Sequence, residues 1–365
     1  MDLYVFNTQL EFIGVIDTYH SFIFERYLTK PGSCTLTLTF DSDAFALLQD
    51  DHIIAKENDL KDACYISHHS IEQEENGHDK LIVKGFSLAN LLRKRIVWGT
   101  QRYTGDIDKV MKEFVDKNVI HPVDSRRVLP GFSLSPTKTF GNVAEVSSYK
   151  YLPDCLEDIA EKNDVGWRVL LDLEKKQYVF DPYRGRNLTT EQDTIDPVIF
   201  STENENVINQ RYVYDQGSYA NTVLVAGSGE GTNRKVVTIN NDKSGWERIE
   251  LFVDARDLSD QGEDGNPIDS AVYNQMLMER GQKKLLEAVK IESFESEIDA
   301  NSQYVYREDY DLGDRVTVMN RKWGIVMHPR ITAVTETYQK GTVDINVEFG
   351  TNIPTLIDVI KRKLG

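Results

Sequence analysis

The residues with the most chemical potential sit in the segment VLVAGSGEGTNR at 223–234, with glycines at 227, 229 and 231 and a cation at Arg234. Glycines let backbone N–H groups approach a phosphate closely, and a helix N-terminus directly behind them completes such a cradle. Here the next residues, 235–239, are β-branched and strand-like, and the G-x-x-x-x-G-K-[ST] pattern is missing. The expectation is a glycine-rich turn between strands. Gly227-Ser228-Gly229 resembles a nucleophile elbow only superficially, for the same want of a helix. His68, His69 and His78 could be drawn around a metal. Neighbouring residues of one strand face opposite ways, however, and no cysteine accompanies them. Asp257, Asp260, Glu263 and Asp264 form an acidic loop. Counted as an EF-hand from Asp260, its third position is Gly262 and its twelfth Ala271, neither able to ligate calcium through a side chain.

HExxH is absent, and carboxylate pairs in so acidic a chain single out nothing without coordinates. Asn187-Leu188-Thr189 matches a glycosylation acceptor, which has no meaning without a secretory leader. Cys34, Cys64 and Cys155 are far apart in sequence and odd in number. They read as reduced, buried thiols of a protein made in a cytoplasm. The sequence therefore offers no catalytic residue, no cofactor-binding residue and no metal ligand, and no cofactor is expected.

The elements that would carry these residues are mostly strands. In SCTLTLTF, 33–40, Cys34, Leu36, Leu38 and Phe40 alternate with three threonines, the period of a half-buried strand. Pro31-Gly32 turns into it, and Asp41 is placed to cap a short helix through Leu48. Residues 63–71 and 80–86 read as two more strands around a polar tip at 72–78, and Ser87 as the cap of a helical turn bearing Leu88, Leu91 and Leu92. Behind Asp106, Ile107, Val110, Met111, Phe114 and Val115 give the strongest helical pattern of the chain, ended at His121-Pro122. Leu152, Cys155, Leu156 and Ile159 repeat it, and a hairpin follows over 166–171 and 177–180.

Strands are expected at 207–214, 221–227, 234–239 and 247–253, then a helix over roughly 270–290 started by Ser270. On it, Tyr273, Leu277, Gly281, Leu285 and Ala288 form one row. A glycine there costs about 1 kcal/mol against alanine, so its place on the apolar row implies close approach of a neighbour. Glycines 313, 324 and 341 divide the strands of 303–350. A short helix from Ile353 to Leu364 ends on Lys361, Arg362 and Lys363, which complement its dipole.

The chain has 365 residues, enough for two or three domains, with 40% hydrophobic and 28% charged residues, which are globular values. No apolar run reaches the ~18–20 residues that span a bilayer, and the start MDLYVF lacks the basic and apolar regions of a leader. The net charge of −17 makes it a poor ligand for phosphate backbones, which need clustered cations. The same charge suits a channel through which DNA must pass without sticking.

Several segments together are similar to the phage tail hub, the tail-associated (Tal-type) protein of siphophages and prophages of Gram-positive bacteria, related to contractile-phage baseplate hubs. They are FERY at 24–27 with Pro31-Gly32, VKGFSLANLLRKRI at 83–96, VMKEFVDKNV at 110–119, 156–168, 223–234 with WERIELFVDARD at 246–257, and YDLGDRV at 310–316 with RITAVT at 330–335. The resemblance covers essentially the whole chain. It implies a homotrimer at the tail tip, with two tail-tube-like β-barrels per subunit giving a pseudo-sixfold ring. The implied partners are the distal tail protein, the tail tube and the tape measure protein, with receptor-binding proteins or a fibre beyond. DNA would traverse the lumen without specific binding. Larger members add fibre or hydrolase regions after the hub, and none is visible here, which implies either a separate chain for that role or a shortened hub.

The expected fold class is mixed, mainly β with an α+β insertion: a β unit at 1–98, an α+β unit at 99–200, a β-rich segment with the long helix at 201–300, and a β segment with the terminal helix at 301–365 that completes a barrel. The expected function is structural, in the virion, not enzymatic. The competing expectations are a glycan or peptidoglycan hydrolase using carboxylates and a carbohydrate-binding adhesin rich in exposed Trp and Tyr.

Overall fold

The computed structural model describes residues 1–73, 77, 79–261, 266–298, 302–339 and 341–350. The chain forms two compact units. One holds Met1–Tyr212 together with the return from Ser293, and the other holds Val213–Glu292.

The first unit opens with β1 (Leu3–Phe6), β2 (Phe12–Ile16), β3 (Ser21–Tyr27), β4 (Ser33–Thr39), α1 (Ser42–Leu47), β5 (Ile53–Lys56), β6 (Asp59–Gln73) and β7 (Asp79–Ser87). The period of two in β4 does what it should: Cys34, Leu36 and Leu38 are buried, and the threonines between them are not. Asp41 caps α1, its carboxylate accepting the Ala44 N–H at 2.9 Å. Ser87 differs from expectation. The turn behind it, Leu88–Lys94, is 3₁₀ and has no side-chain cap. The Ser87 hydroxyl instead accepts the Gly32 N–H at 2.9 Å, tying the Pro31-Gly32 turn to this segment.

Next come β8 (Thr100–Asp106), α2 (Ile107–Val115), β9 (Phe132–Leu134), β10 (Asn142–Ser148), α3 (Leu152–Asn163), β11 (Gly166–Asp172) and β12 (Gln177–Tyr183). Asp106 caps α2, and all five apolar residues of its pattern are buried. The helix runs on as a π-turn, Asp116–Ile120, before His121-Pro122. One core joins α2, α3, Trp167 and Phe180 to Leu88 and Leu92, and also to Phe6, Ile53 and Tyr65 of the opening strands. β13 (Asn187–Leu188), β14 (Ile199–Ser201) and β15 (Val207–Asp215) follow.

The second unit has β16 (Thr222–Ala226), β17 (Val236–Ile239), β18 (Glu250–Asp254) and α4 (Ser270–Glu287). Its sheet order is β17-β16-β18, with β16 and β18 parallel. The cap of α4 is Asp269, not Ser270. Asp269 has extended backbone, and its carboxylate accepts the N–H groups of Ala271 and Val272, so Ser270 is already the first helical residue. Tyr273 and Leu277 are buried against Val223, Val225 and Val253.

The chain then returns through β19 (Ile291–Ile298), β20 (Arg315–Asn320), β21 (Ile325–Met327), β22 (Ile331–Gln339) and β23 (Thr342–Gly350). Eleven strands form one sheet in the order β15-β19-β23-β22-β3-β4-β7-β6-β5-β1-β2. β22 lies antiparallel beside β3, with Glu336 opposite Phe24 and Ala333 opposite Tyr27, so the late strands pair with the earliest. The protein is mainly β, and among the described residues this sheet is an open path that closes no barrel. The tip residues 74–76 and 78, the loop residues 262–265 and the expected helix at 353–364 lie outside the described residues.

Gly281 carries the expected close approach. A methyl group there would sit 2.5 Å from both Ile239 Cδ1 and Val225 Cγ2. Gly281→Ala should therefore destabilise the second unit by about 1–3 kcal/mol through overpacking, although alanine is the better helix former. Urea unfolding of the two proteins, followed at 222 nm, checks the sign.

Candidate functional site

The most concentrated set of charges is buried in the first unit. On β3, Phe22, Phe24 and Arg26 alternate inward, and on β22 Glu336 and Tyr338 do the same. Lys56, at the end of β5, forms an ion pair with Glu336, and both side chains are sealed from solvent. Tyr338 donates its hydroxyl to the same carboxylate at 2.6 Å, and Arg307 reaches it at 2.9 Å. Arg26 bonds Asp62 at 2.6 Å and Asp311 at 2.7 Å. Arg307 also pairs with Asp59. Lys56 lies 4.7 Å from the centroid of the Phe24 ring.

Burial alone would push the Glu336 carboxyl up, but Lys56, Arg307 and Arg26 outweigh it and hold it at about 2. Asp62 is likewise held below its usual range by Arg26 and Arg307 against the push of burial. Each charge of the cluster has a partner of opposite sign, three cations serving four carboxylates. That is the chemistry of a clamp, with no spare nucleophile or base.

A second clamp is built on Asp164, which ends α3 in a left-handed conformation, φ 53°. Its carboxylate takes Arg330 at 2.6 Å and Arg315 at 2.9 Å, and these pairs hold it below the usual range against burial. Beside Arg26 and Asp62 lies a pocket lined also by Lys30, Trp167, Arg168 and Tyr183, with about 30 Å³ of space for water. That is room for about one water molecule, far below the 300 Å³ and more of ordinary ligand sites.

The residues singled out in the sequence are not brought together. In the glycine loop, Gly229 has φ 96° and its position leaves no room for a side chain against the Asn233 carbonyl. Arg234 spends its guanidinium on the carbonyls of Gly227 and Ala226 and on Asp254 at 2.5 Å. The Ser228 N–H is taken by the Tyr273 hydroxyl at 2.8 Å. A strand, not a helix, follows, as the composition of 235–239 implies. His69 packs on Phe45 and lies 3.6 Å from Asp50. Among the described residues, no three His, Cys, Asp or Glu could hold a metal ion, and His78 lies outside them. Asp257 pairs with Arg280 at 2.8 Å, and Glu263 and Asp264 are outside the described residues. All three cysteines are free and buried, as read from their number. Burial and the neighbouring Cys34 push the Cys64 thiol well up, and burial pushes Cys155 to about 11.

The clamps were not anticipated. Their only sequence signal is a charge at an inward position of an alternating strand, Arg26 after Phe22 and Phe24, and Glu336 before Tyr338. Several segments that carry the resemblance to tail hubs meet at these pairs: 24–27 and 310–316 at Arg26–Asp311, and 156–168 and 330–335 at Asp164–Arg330.

The profile of the family described as "Siphovirus ReqiPepy6 Gp37-like protein" matches residues 2–351. The chain belongs to that family. No curated protein matches the chain. Its fold is that of solved prophage tail proteins. The 43 kDa tail protein of prophage MuSo2 from Shewanella oneidensis is 11% identical, with a TM-score of 0.53 over 96% of this chain and 97% of that one. Prophage tail protein gp18 from Listeria monocytogenes is 11% identical with a TM-score of 0.54, over 100% of this chain and 98% of that one. A tail protein from Neisseria meningitidis is 10% identical with a TM-score of 0.53, over 95% of each chain. The resemblance to phage tail proteins read from the sequence therefore holds.

The buried carboxyls set a pH profile. Glu336 has a lowered pKa when folded, so its contribution is full above about 4.5 and is lost as pH falls toward 2. Glu157 on α3 is the opposite case. Burial, then Glu161, Asp154 and Asp158, outweigh Lys30 and push it up to about 7. Its contribution is present in acid and is lost as pH rises from about 4.5 through 7. Urea unfolding should show wild type losing stability between pH 5 and 8 relative to Glu157→Gln. Parallel profiles for the two proteins would contradict this.

Proposed function

We propose that this chain is the structural hub of a siphophage tail tip, a homotrimeric ring that joins the sixfold tail tube and distal tail protein to the adsorption apparatus and opens for DNA. The observation that carries the reading is the family match over residues 2–351 in a chain with the fold of prophage tail proteins. The eleven-stranded sheet supplies the strands for tube-like walls, and three chains with two such walls each meet a sixfold tube. In this reading the segment 1–98 and the segment 301–365 belong to the tube-like part, 99–200 is the insertion, and 201–300 carries the helix-backed second unit. The tape measure protein ends on the ring, and receptor-binding proteins or a fibre attach beyond it. The net charge of −17 keeps DNA phosphates from adhering to the lumen. Opening is a rearrangement between subunits.

The reading assigns the chain no catalysis. The carboxylates of the buried cluster, Glu336 and Asp62, are paired with cations and held low, unlike the raised general acid of a hydrolase. Light scattering tests the stoichiometry. A subunit of 41.8 kDa should give 125.4 kDa (3 × 41.8), alone or on addition of the distal tail protein. A single-chain mass under both conditions would contradict the reading, as would lysis of purified cell walls.

A further inference from the structure

One patch of the first unit runs against the chain's acidic character. Arg93, Lys94 and Arg126 are paired with Asp154, Asp51 and Asp124. Arg95 and Arg127, beside them, form no ion pair among the described residues. Arg95 donates to the carbonyls of Lys94 and Arg127, and Arg127 donates to that of Ile96 at 2.7 Å. Burial, and after it the neighbouring Arg95, depress the pKa of Arg127. Both guanidiniums thus lack a carboxylate partner among the described residues, in a chain with 17 more acids than bases.

The same patch exposes its aromatic rings. Trp98 is 62% exposed, with the Arg127 guanidinium 4.8 Å from its centroid. Tyr151 is 48% exposed and lies under Arg93 at 4.5 Å. Tyr149 is 71% exposed and holds φ 51°, a left-handed backbone that a bulky residue rarely adopts. Ile96 bridges Tyr151, the Val97 N–H donates to the Lys150 carbonyl, and the Tyr149 N–H donates to that of Val97, so the stretches that carry Trp98 and Tyr149 lie side by side. Trp, Tyr and Arg are the residues that dominate binding energy at protein interfaces, and stacked guanidiniums are already ordered for contact.

We propose that this patch, centred on Arg95, Arg127, Trp98 and Tyr149, docks on the acidic surface of the next copy of this chain in the ring. Outside the patch, with its five cations and the three aspartates paired to them, the chain has 37 bases (42 − 5) against 56 acids (59 − 3), so a second copy offers a complementary charge. A ring with three copies needs a head-to-tail contact, in which a basic patch on one copy meets a different, acidic face on the next. The inference rests on the trimeric reading.

The test compares wild type, Tyr149→Asn and Arg127→Glu by light scattering over a concentration series at 0.15 M salt. Tyr149→Asn removes the ring while asparagine tolerates the left-handed backbone, so its thermal midpoint should equal or exceed that of wild type. Both variants should need at least tenfold more protein to assemble, and 1 M salt should weaken wild-type assembly similarly. Assembly of Tyr149→Asn at wild-type concentrations would overturn the proposal, even if Arg127→Glu failed to fold. So would variants that assemble normally but lose retention on purified cell-wall polysaccharide, which would make the patch a sugar platform. A wild type that never assembles, alone or with the distal tail protein, would instead remove the trimeric reading beneath it.

Discussion

The buried pair Lys56–Glu336 is the constraint on which the first unit depends. One charge comes from β5 and the other from β22, nearly the whole chain apart, and neither touches water. A lone buried ion costs several kcal/mol, so neither strand can take its place in the core without the other. Arg26, Asp62, Arg307 and Asp311 extend the same logic to β3, β6 and the segment before β20. Hydrophobic faces alone would accept β22 in more than one register, since a shift of two residues keeps the same side inward. A charge that must meet its partner accepts only one. The cluster thus specifies where the late strands dock on the early ones.

This gives the resemblance to tail hubs a physical content. Segments 24–27, 156–168, 310–316 and 330–335 meet in ion pairs. They bring the residues that lock distant stretches of chain together, at Arg26–Asp311 and at Asp164 with Arg315 and Arg330. A structural protein of a phage tail needs such clamps more than it needs a cleft. The pocket beside Arg26 has space for about one water, which fits that emphasis.

Local elements were legible because their causes are local. Five apolar residues behind Asp106 make α2 unavoidable, and threonines alternating with Cys34, Leu36 and Leu38 make β4. Gly281 on an apolar row announced a close neighbour, and Val225 and Ile239 are that neighbour. Asp269 and Ser270 are both good caps, and only the backbone angles decide between them. Ser87 looked like a cap because nothing in the sequence shows the Gly32 N–H arriving from another turn. The sheet order and the clamps were illegible for one reason: a strand's partners are non-local. Glu336 reads as an ordinary charge until β3 and β5 are laid beside it. The glycine loop, the buried cysteines and His69 take the turn, burial and packing that their sequence surroundings imply.

Buried charge pairing, beyond apolar burial, fixes the late strands on the early sheet. A double-mutant cycle on Lys56 and Glu336, read by urea unfolding, tests it most directly. Lys56→Met and Glu336→Gln should each cost about 3–5 kcal/mol, and the double variant far less than their sum, because neither buried charge is then left alone. Costs that add to within about 0.5 kcal/mol would contradict it, and would mean that the two residues are held in place by their apolar surroundings alone.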